Sequence, residues 1–423
     1  MTSTVPSDSE AESTSEIGES PFDSQVETAE FVFADASPEL IAERDGIDVT
    51  SYRLPSCPQL FEHPIKFCLW LVRAAFGIAS LIFMLAVIAA IPMVNFLALG
   101  YLLEVEARVA RTGRFRDAFL LLDVAPRIGS IALGIWLWVL PLRFLGTVRG
   151  DAFYIEPGGE IDQTINSLAP VAAIVVALHI CLALARGGSL GCFFRPLKNL
   201  LWIIKRWSNH DYMAHATAGV NDFMQRLRLR HHFTLGVKGF AGSFLWLVIP
   251  SALYISGAPG AGGRNVVIVL GGIGLTLVLS WMPFLQARFA VTGRWKSLFE
   301  LKAIRSLFPF APVAWLVAIV AVYVLSFPLY LTKAYLLPHD LMWLVTVVFI
   351  ISIYPAKVVT GWAVHRAISR QEPPWFGTSW ICRALWVPLI GVYVFVLFFT
   401  PLFAQHGEVA IFEHHALLLP VPF

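Results

Sequence analysis

The sequence predicts an all-α polytopic membrane protein, a transmembrane helical bundle of eight or nine crossings in two parallel repeats. Three observations carry this. Hydrophobic residues make up 57% of the 423 and charged residues only 14%, where soluble domains hold about a quarter charged. Eight apolar runs, 67–90, 128–147, 167–185, 239–257, 265–285, 311–332, 342–364 and 385–404, meet the length needed for a helical span, roughly 20 residues for a core of about 30 Å. Finally, the segment from Ala107 to Phe119 recurs 180 residues later from Ala287 to Phe299, with seven of thirteen positions identical, and each copy follows an apolar run.

The order of segments follows from composition. Residues 1–60 form an acidic leader, with 13 Asp and Glu against the single Arg44 in the first 50. Such a segment buries too little apolar surface to fold, so it is expected to be disordered and cytoplasmic; it has no basic start or apolar core of a signal peptide. Phe31-Val-Phe33 and Leu40-Ile41 read either as a short docking motif for a cytoplasmic partner or as incidental apolar residues of a solvated tail. Residues 61–206 are read as a first membrane half ending in an interfacial helix, 207–237 as a basic cytoplasmic linker and 238–405 as a second half. Residues 406–423 form a tail expected outside the cell. The stretch 92–103 is apolar but short, followed by Glu104 and Glu106, and is left as a hairpin arm or a re-entrant or interfacial helix.

Basic residues orient these spans. Loops 108–127, 186–238, 286–310 and 365–383 hold 22 Lys and Arg, whereas the intervening loops hold 3. The positive-inside rule makes the first set cytoplasmic. That split requires 66–107 to cross twice or the N-terminus to lie outside; a cytoplasmic leader favours two crossings, nine in all. Copies of the repeat separated by an even number of crossings share one orientation, so the halves are parallel repeats about an axis along the membrane normal. Leu69-Trp-Leu-Val72 against Leu245-Trp-Leu-Val248, and Pro141-Leu142 against Pro328-Leu329, are weaker traces of it.

Within the motif, Gly113 and Gly293 suit a left-handed helix end, with Thr112 or Thr292 bonding the freed backbone. Arg114 and Arg294, beside Phe115 and Trp295, then fall at headgroup level; with Arg108 and Arg288 they are the candidate contacts for a lipid headgroup or a phosphorylated substrate. The structural alternative is a helix stop with a snorkelling arginine. Residues 193–207 mix basic and apolar positions at helical spacing, as in a peripheral amphipathic helix, and Arg226, Arg228 and Arg230 alternate as an anionic-lipid or leader contact or an orientation signal.

Ionisable residues inside predicted spans are functional candidates by default. Arg143 and Lys357 lie where each can reach an interface, so Arg73 and His179 are the midplane candidates. No apolar run has Asp or Glu near its centre, which argues against a carboxylate relay. The five cysteines lack C-x-x-C spacing, and His406, Glu408, Glu413, His414 and His415 in the tail lack a metal-site pattern. With no phosphate loop, nucleophile elbow or catalytic triad spacing, an enzyme is not expected, nor a cofactor, a metal or a nucleic-acid partner.

At Ile91-Pro-Met-Val-Asn-Phe-Leu-Ala-Leu-Gly-Tyr101, and in the ending Glu413-His-His-Ala-Leu-Leu-Leu-Pro-Val-Pro-Phe423, the chain resembles bacterial integral-membrane proteins of the domain-of-unknown-function type, matching them at Pro92, Asn95, Gly100 and Tyr101. The resemblance implies a bacterial cell inner membrane location and brings no activity. The functional expectations are, in order, handling of a lipid or other amphipathic ligand in the seam between halves, a transporter or permease with a midplane site, and a membrane scaffold recruiting a partner through the leader. A polar cavity, a lipid-filled groove or a tightly packed seam would tell them apart.

Overall fold

The computed structural model describes residues 58–59, 62–122, 124–207, 225, 227–255, 264–334 and 342–403. The leader apart from residues 58–59, the C-terminal tail, Arg226 and most of the central linker lie outside them. Every regular element among the described residues is helical: α1 Pro64–Ala90, α2 Asn95–Thr112, α3 Ala125–Ile155, α4 Glu160–Ala185, α5 Leu190–Phe193, α6 Pro196–Trp207, α7 Leu229–Ile255, α8 Arg264–Thr292, α9 Leu301–Leu307, α10 Pro312–Ala334, α11 Met342–Ile368 and α12 Phe376–Phe403. Seven of them, α1, α3, α4, α7, α8, α11 and α12, are long and apolar enough to cross a membrane. An eighth span exists if α9 with its following turn and α10 count together, two pieces bent by 113° around Ala311. The chain is a multi-pass membrane protein, and the described part of each apolar run overlaps one of these helices.

The helices divide into an outer shell and an inner helix. Only Ala125, Ser130 and Gly134 of the 31 residues in α3 are buried, and Trp136, Leu140 and Phe144 point outward. In α4, Leu168, Val171, Ile174, Val175 and Leu178 do the same. Such a surface is unfavourable in water and comfortable in hydrocarbon. Prolines 141, 170, 250, 283, 328 and 355 sit inside long helices, where neighbouring helices can re-satisfy the freed backbone. The amphipathic helix expected at 193–207 is α6, which presents Leu197, Leu200, Leu201 and Ile204 outward while Asn199 is buried, donating to Cys192 O at 2.7 Å.

α2 is the inner helix. Fourteen of its 18 residues are buried, among them Glu104, Glu106 and Arg108. It follows α1 through a tight turn at Ile91–Val94 in which Met93 takes φ 68°. Its neighbours are α1, α7, α8 and α11. Three glycines let them come so close. A Cβ on Gly100 would lie 1.7 Å from the carbonyl oxygen of His232, one on Gly236 1.9 Å from that of Phe96, and one on Gly361 2.4 Å from that of Glu106. Helices in lipid associate through small residues that bring backbones together, and here that contact walls a charged helix off from lipid. The stretch left undecided in the sequence is thus a full helix at the centre of the bundle.

Both copies of the repeat fold alike locally. Gly113 and Gly293 end α2 and α8 at φ 66° and 67°, each donating its N–H to the carbonyl four residues back at 2.8 Å. Thr112 and Thr292 donate their hydroxyls to the carbonyls of Arg108 and Arg288 at 3.0 Å, and both accept from the amide of the following arginine. A 3-10 turn follows each, Phe115–Ala118 and Trp295–Phe299.

Candidate functional site

Four ionisable residues lie within eight positions of α2, and the packing around them decides what they do. Glu106 is fully buried, and its Oε2 accepts from Lys357 Nζ of α11 at 2.9 Å. The same ammonium donates to Gln286 Oε1 of α8 at 2.5 Å, Gln286 Nε2 donates to Ser243 Oγ of α7, and Ser243 Oγ donates to Gly239 O at 2.8 Å. One hydrogen-bonded chain therefore joins α2, α11, α8 and α7 through side chains that are all buried. Glu106 Oε1, the other carboxylate oxygen, is buried with no hydrogen-bond partner. Most buried polar atoms have a partner, so the bare oxygen needs an explanation.

Beside this chain, Tyr101 and Tyr354 share a hydrogen bond of 3.3 Å, and Tyr354 also donates to Ala118 O at 2.9 Å. Further along, His365 Nδ1 meets Ala110 O at 3.1 Å. The three α2–α11 contacts, at 101 with 354, 106 with 357 and 110 with 365, keep a separation of 251 to 255 residues. The two helices therefore run parallel along their contact. On the α7 side, Glu104 bonds His231 Nε2 at 3.2 Å and lies 3.9 Å from Arg111, which also donates to Val291 O at 3.0 Å.

The candidate residues of the sequence separate into groups. Arg114 and Arg294 are exposed, as expected of headgroup-level side chains. Arg108 and Arg288 are buried instead. Arg108 faces the charges of Glu104 and Asp117, and Arg288 Nε donates to Glu300 at 2.9 Å. They lie inside α2 and α8, six residues before Arg114 and Arg294, which follow the helix ends, so identity between the copies falls on both core and surface positions. The proposed midplane pair is not brought together. Arg73 is exposed beside a groove with Lys66, Trp70 and Leu122, whereas buried His179 bonds Phe193 O at 2.9 Å and packs on Trp138, which donates to that same oxygen. His179 thus pins the one-turn helix α5.

Lys357 corrects a sequence expectation. It does not reach an interface; Glu106 holds it in the core. The missing carboxylate of the apolar runs arrives on α2, just past the end of a run, because glycine contacts draw that helix inward. One signal pointed to it: a lysine inside an apolar run needs a partner, and Glu104 and Glu106 are the acidic pair that directly follows an apolar stretch.

No protein-family model matches the chain, and no curated protein and no solved structure is significantly similar to it.

Proposed function

We propose that the protein is a proton-coupled carrier whose working element is the Glu106–Lys357 pair. The observation that carries this reading is the bare Oε1 of Glu106, a buried carboxylate oxygen at the head of a polar chain through four helices. A proton delivered to that oxygen neutralises the carboxylate, weakens its hold on Lys357 and allows a second conformation that releases the proton on the other side, with or without a solute on the ammonium and Gln286. Buried ionisable groups in membrane helices serve such relays. The sequence reading of a permease is kept, with Glu106 and Lys357 in the place of Arg73 and His179. Lipid handled in the seam draws less support, because the ends of α2 and α8 touch directly, Arg111 Nη2 donating to Val291 O.

The topology that goes with it is nine crossings in two parallel halves, with the leader in the cytoplasm and the protein in the bacterial inner membrane. The parallel run of α2 and α11 supports α2 as a crossing in the same direction as α11, and the distribution of basic residues supports the sidedness.

The test is proton movement into proteoliposomes containing a trapped pH-sensitive dye, under an imposed membrane potential. Wild type is expected to acidify the lumen faster than protein-free vesicles, and Glu106→Gln with Lys357→Met to abolish the difference while remaining folded. A wild type no faster than empty vesicles, or an equally active double variant, would sink the reading.

A further inference from the structure

A shallow groove of about 370 Å³ opens at the start of the bundle between α1 and the segment entering α3. Lys66, Leu69, Trp70 and Arg73 of α1 form one wall, with Leu122 and Pro126 opposite. Lys66, Trp70 and Arg73 follow at i, i+4 and i+7, so they share one helix face. Lys66 and Arg73 are both exposed, and neither forms an ion pair among the described residues. Seven residues of helix rise about 10 Å, a gap that two long cationic side chains close on a single phosphate. Between them the indole and the apolar floor offer a bed for hydrocarbon.

We infer that this groove binds an anionic phospholipid, its phosphate between Lys66 and Arg73 and one acyl chain along Leu69, Trp70, Leu122 and Pro126. Charge complementarity and the apolar floor argue together: a soluble anion leaves the floor unfilled, and a zwitterionic lipid gives back in its own ammonium what the two cations gain. The site is separate from the charge chain around Glu106 and shares no residue with it. Its place at the beginning of α1, in the leaflet rich in anionic lipid if the leader is cytoplasmic, suits a lipid that fixes the first helix against α3.

The experiment reads fluorescence quenching of the protein reconstituted in vesicles of brominated phosphatidylglycerol or brominated phosphatidylcholine. Subtracting the Trp70→Phe protein isolates the signal of Trp70. That signal is expected to be quenched preferentially by the brominated phosphatidylglycerol. Titrating it into phosphatidylcholine should show apparent affinity falling about fivefold for each cation removed in Lys66→Ala and Arg73→Ala. Arg114→Ala with Arg294→Ala, which removes two exposed cations elsewhere, should leave the preference intact. Equal quenching by both lipids, an unchanged preference without Lys66 and Arg73, or a loss in the Arg114 and Arg294 variant would overturn the site. Loss of quenching on adding excess inorganic phosphate would overturn the lipid assignment in favour of a free phosphate.

Discussion

Arg111 donates through Nη2 to the carbonyl oxygen of Val291 at 3.0 Å, and Val291 holds in the second copy of the repeat the place that Arg111 holds in the first, 180 residues earlier. The two copies thus meet at equivalent points, the end of α2 against the end of α8, where the last carbonyls of a helix lack intrahelical donors. A guanidinium on those carbonyls also complements the negative end of the helix dipole.

Replacing Arg111 by Ala should therefore loosen the junction of the copies. A hydrogen bond from a charged donor contributes about 1.5–3 kcal/mol, and Glu104 loses a neighbouring cation as well. Thermal unfolding in detergent should show a lower midpoint for Arg111→Ala, and Arg111→Lys should recover only part of it, since an ammonium lacks the fork geometry. An unchanged midpoint would mean that the contact adds nothing to stability.

The Glu106–Lys357 pair should behave as a coupled unit. Removing either partner alone leaves a buried charge and costs about 3–5 kcal/mol, whereas replacing both by neutral side chains of similar volume leaves no buried charge and costs less. Glu106→Gln and Lys357→Met are expected to lower folded yield singly and to recover it together. Additive losses would show that the two side chains do not depend on each other.

Glycine substitutions separate close approach from empty space. Gly100→Ala and Gly361→Ala place a methyl 1.7 Å and 2.4 Å from backbone oxygens of α7 and α2, and forcing packed elements apart costs typically 1–3 kcal/mol or more. Gly146→Ala, in α3 with nothing within 4 Å of its new methyl, should stabilise by up to about 1 kcal/mol through helix propensity. Melting curves of the three variants should rank Gly146→Ala above wild type and the other two below.

Sidedness is testable with single cysteines in a background lacking Cys57, Cys68, Cys181, Cys192 and Cys382. Ile91→Cys and Glu156→Cys are expected to react with a membrane-impermeant maleimide from outside the cell, and Lys296→Cys only after permeabilisation. If Ile91→Cys is protected like Lys296→Cys, α2 does not cross.

The outer shell was legible in the sequence, because lipid-facing helices are hydrophobic all round and each run maps to one of α1, α3, α4, α7, α8, α10, α11 and α12. The local fold of the repeat was legible too, since Thr-Gly-Arg has a built-in backbone logic at Gly113 and Gly293. The inner helix was not. Its charges depress hydropathy where a span is sought, and its burial depends on Gly100, Gly236 and Gly361, which are far apart in sequence and meet only in three dimensions. For the same reason Arg108 and Arg288 looked like surface cations: the repeat shows that a position matters without showing which side of the helix it faces.

The burial of α2 bears on how the chain is made. Lys357 leaves the ribosome 251 residues after Glu106, and α7, α8 and α11, which screen α2 from lipid, are all synthesised later. Charged residues at a helix centre enter lipid unaided only at about 2.5–3.5 kcal/mol each. A nascent α2 therefore carries Glu104, Glu106 and Arg108 unscreened until α7, α8 and α11 are made and close around it. Truncation anywhere before α11 strands Glu106 without its lysine, so the enclosure of α2 waits on helices that come after it in the chain.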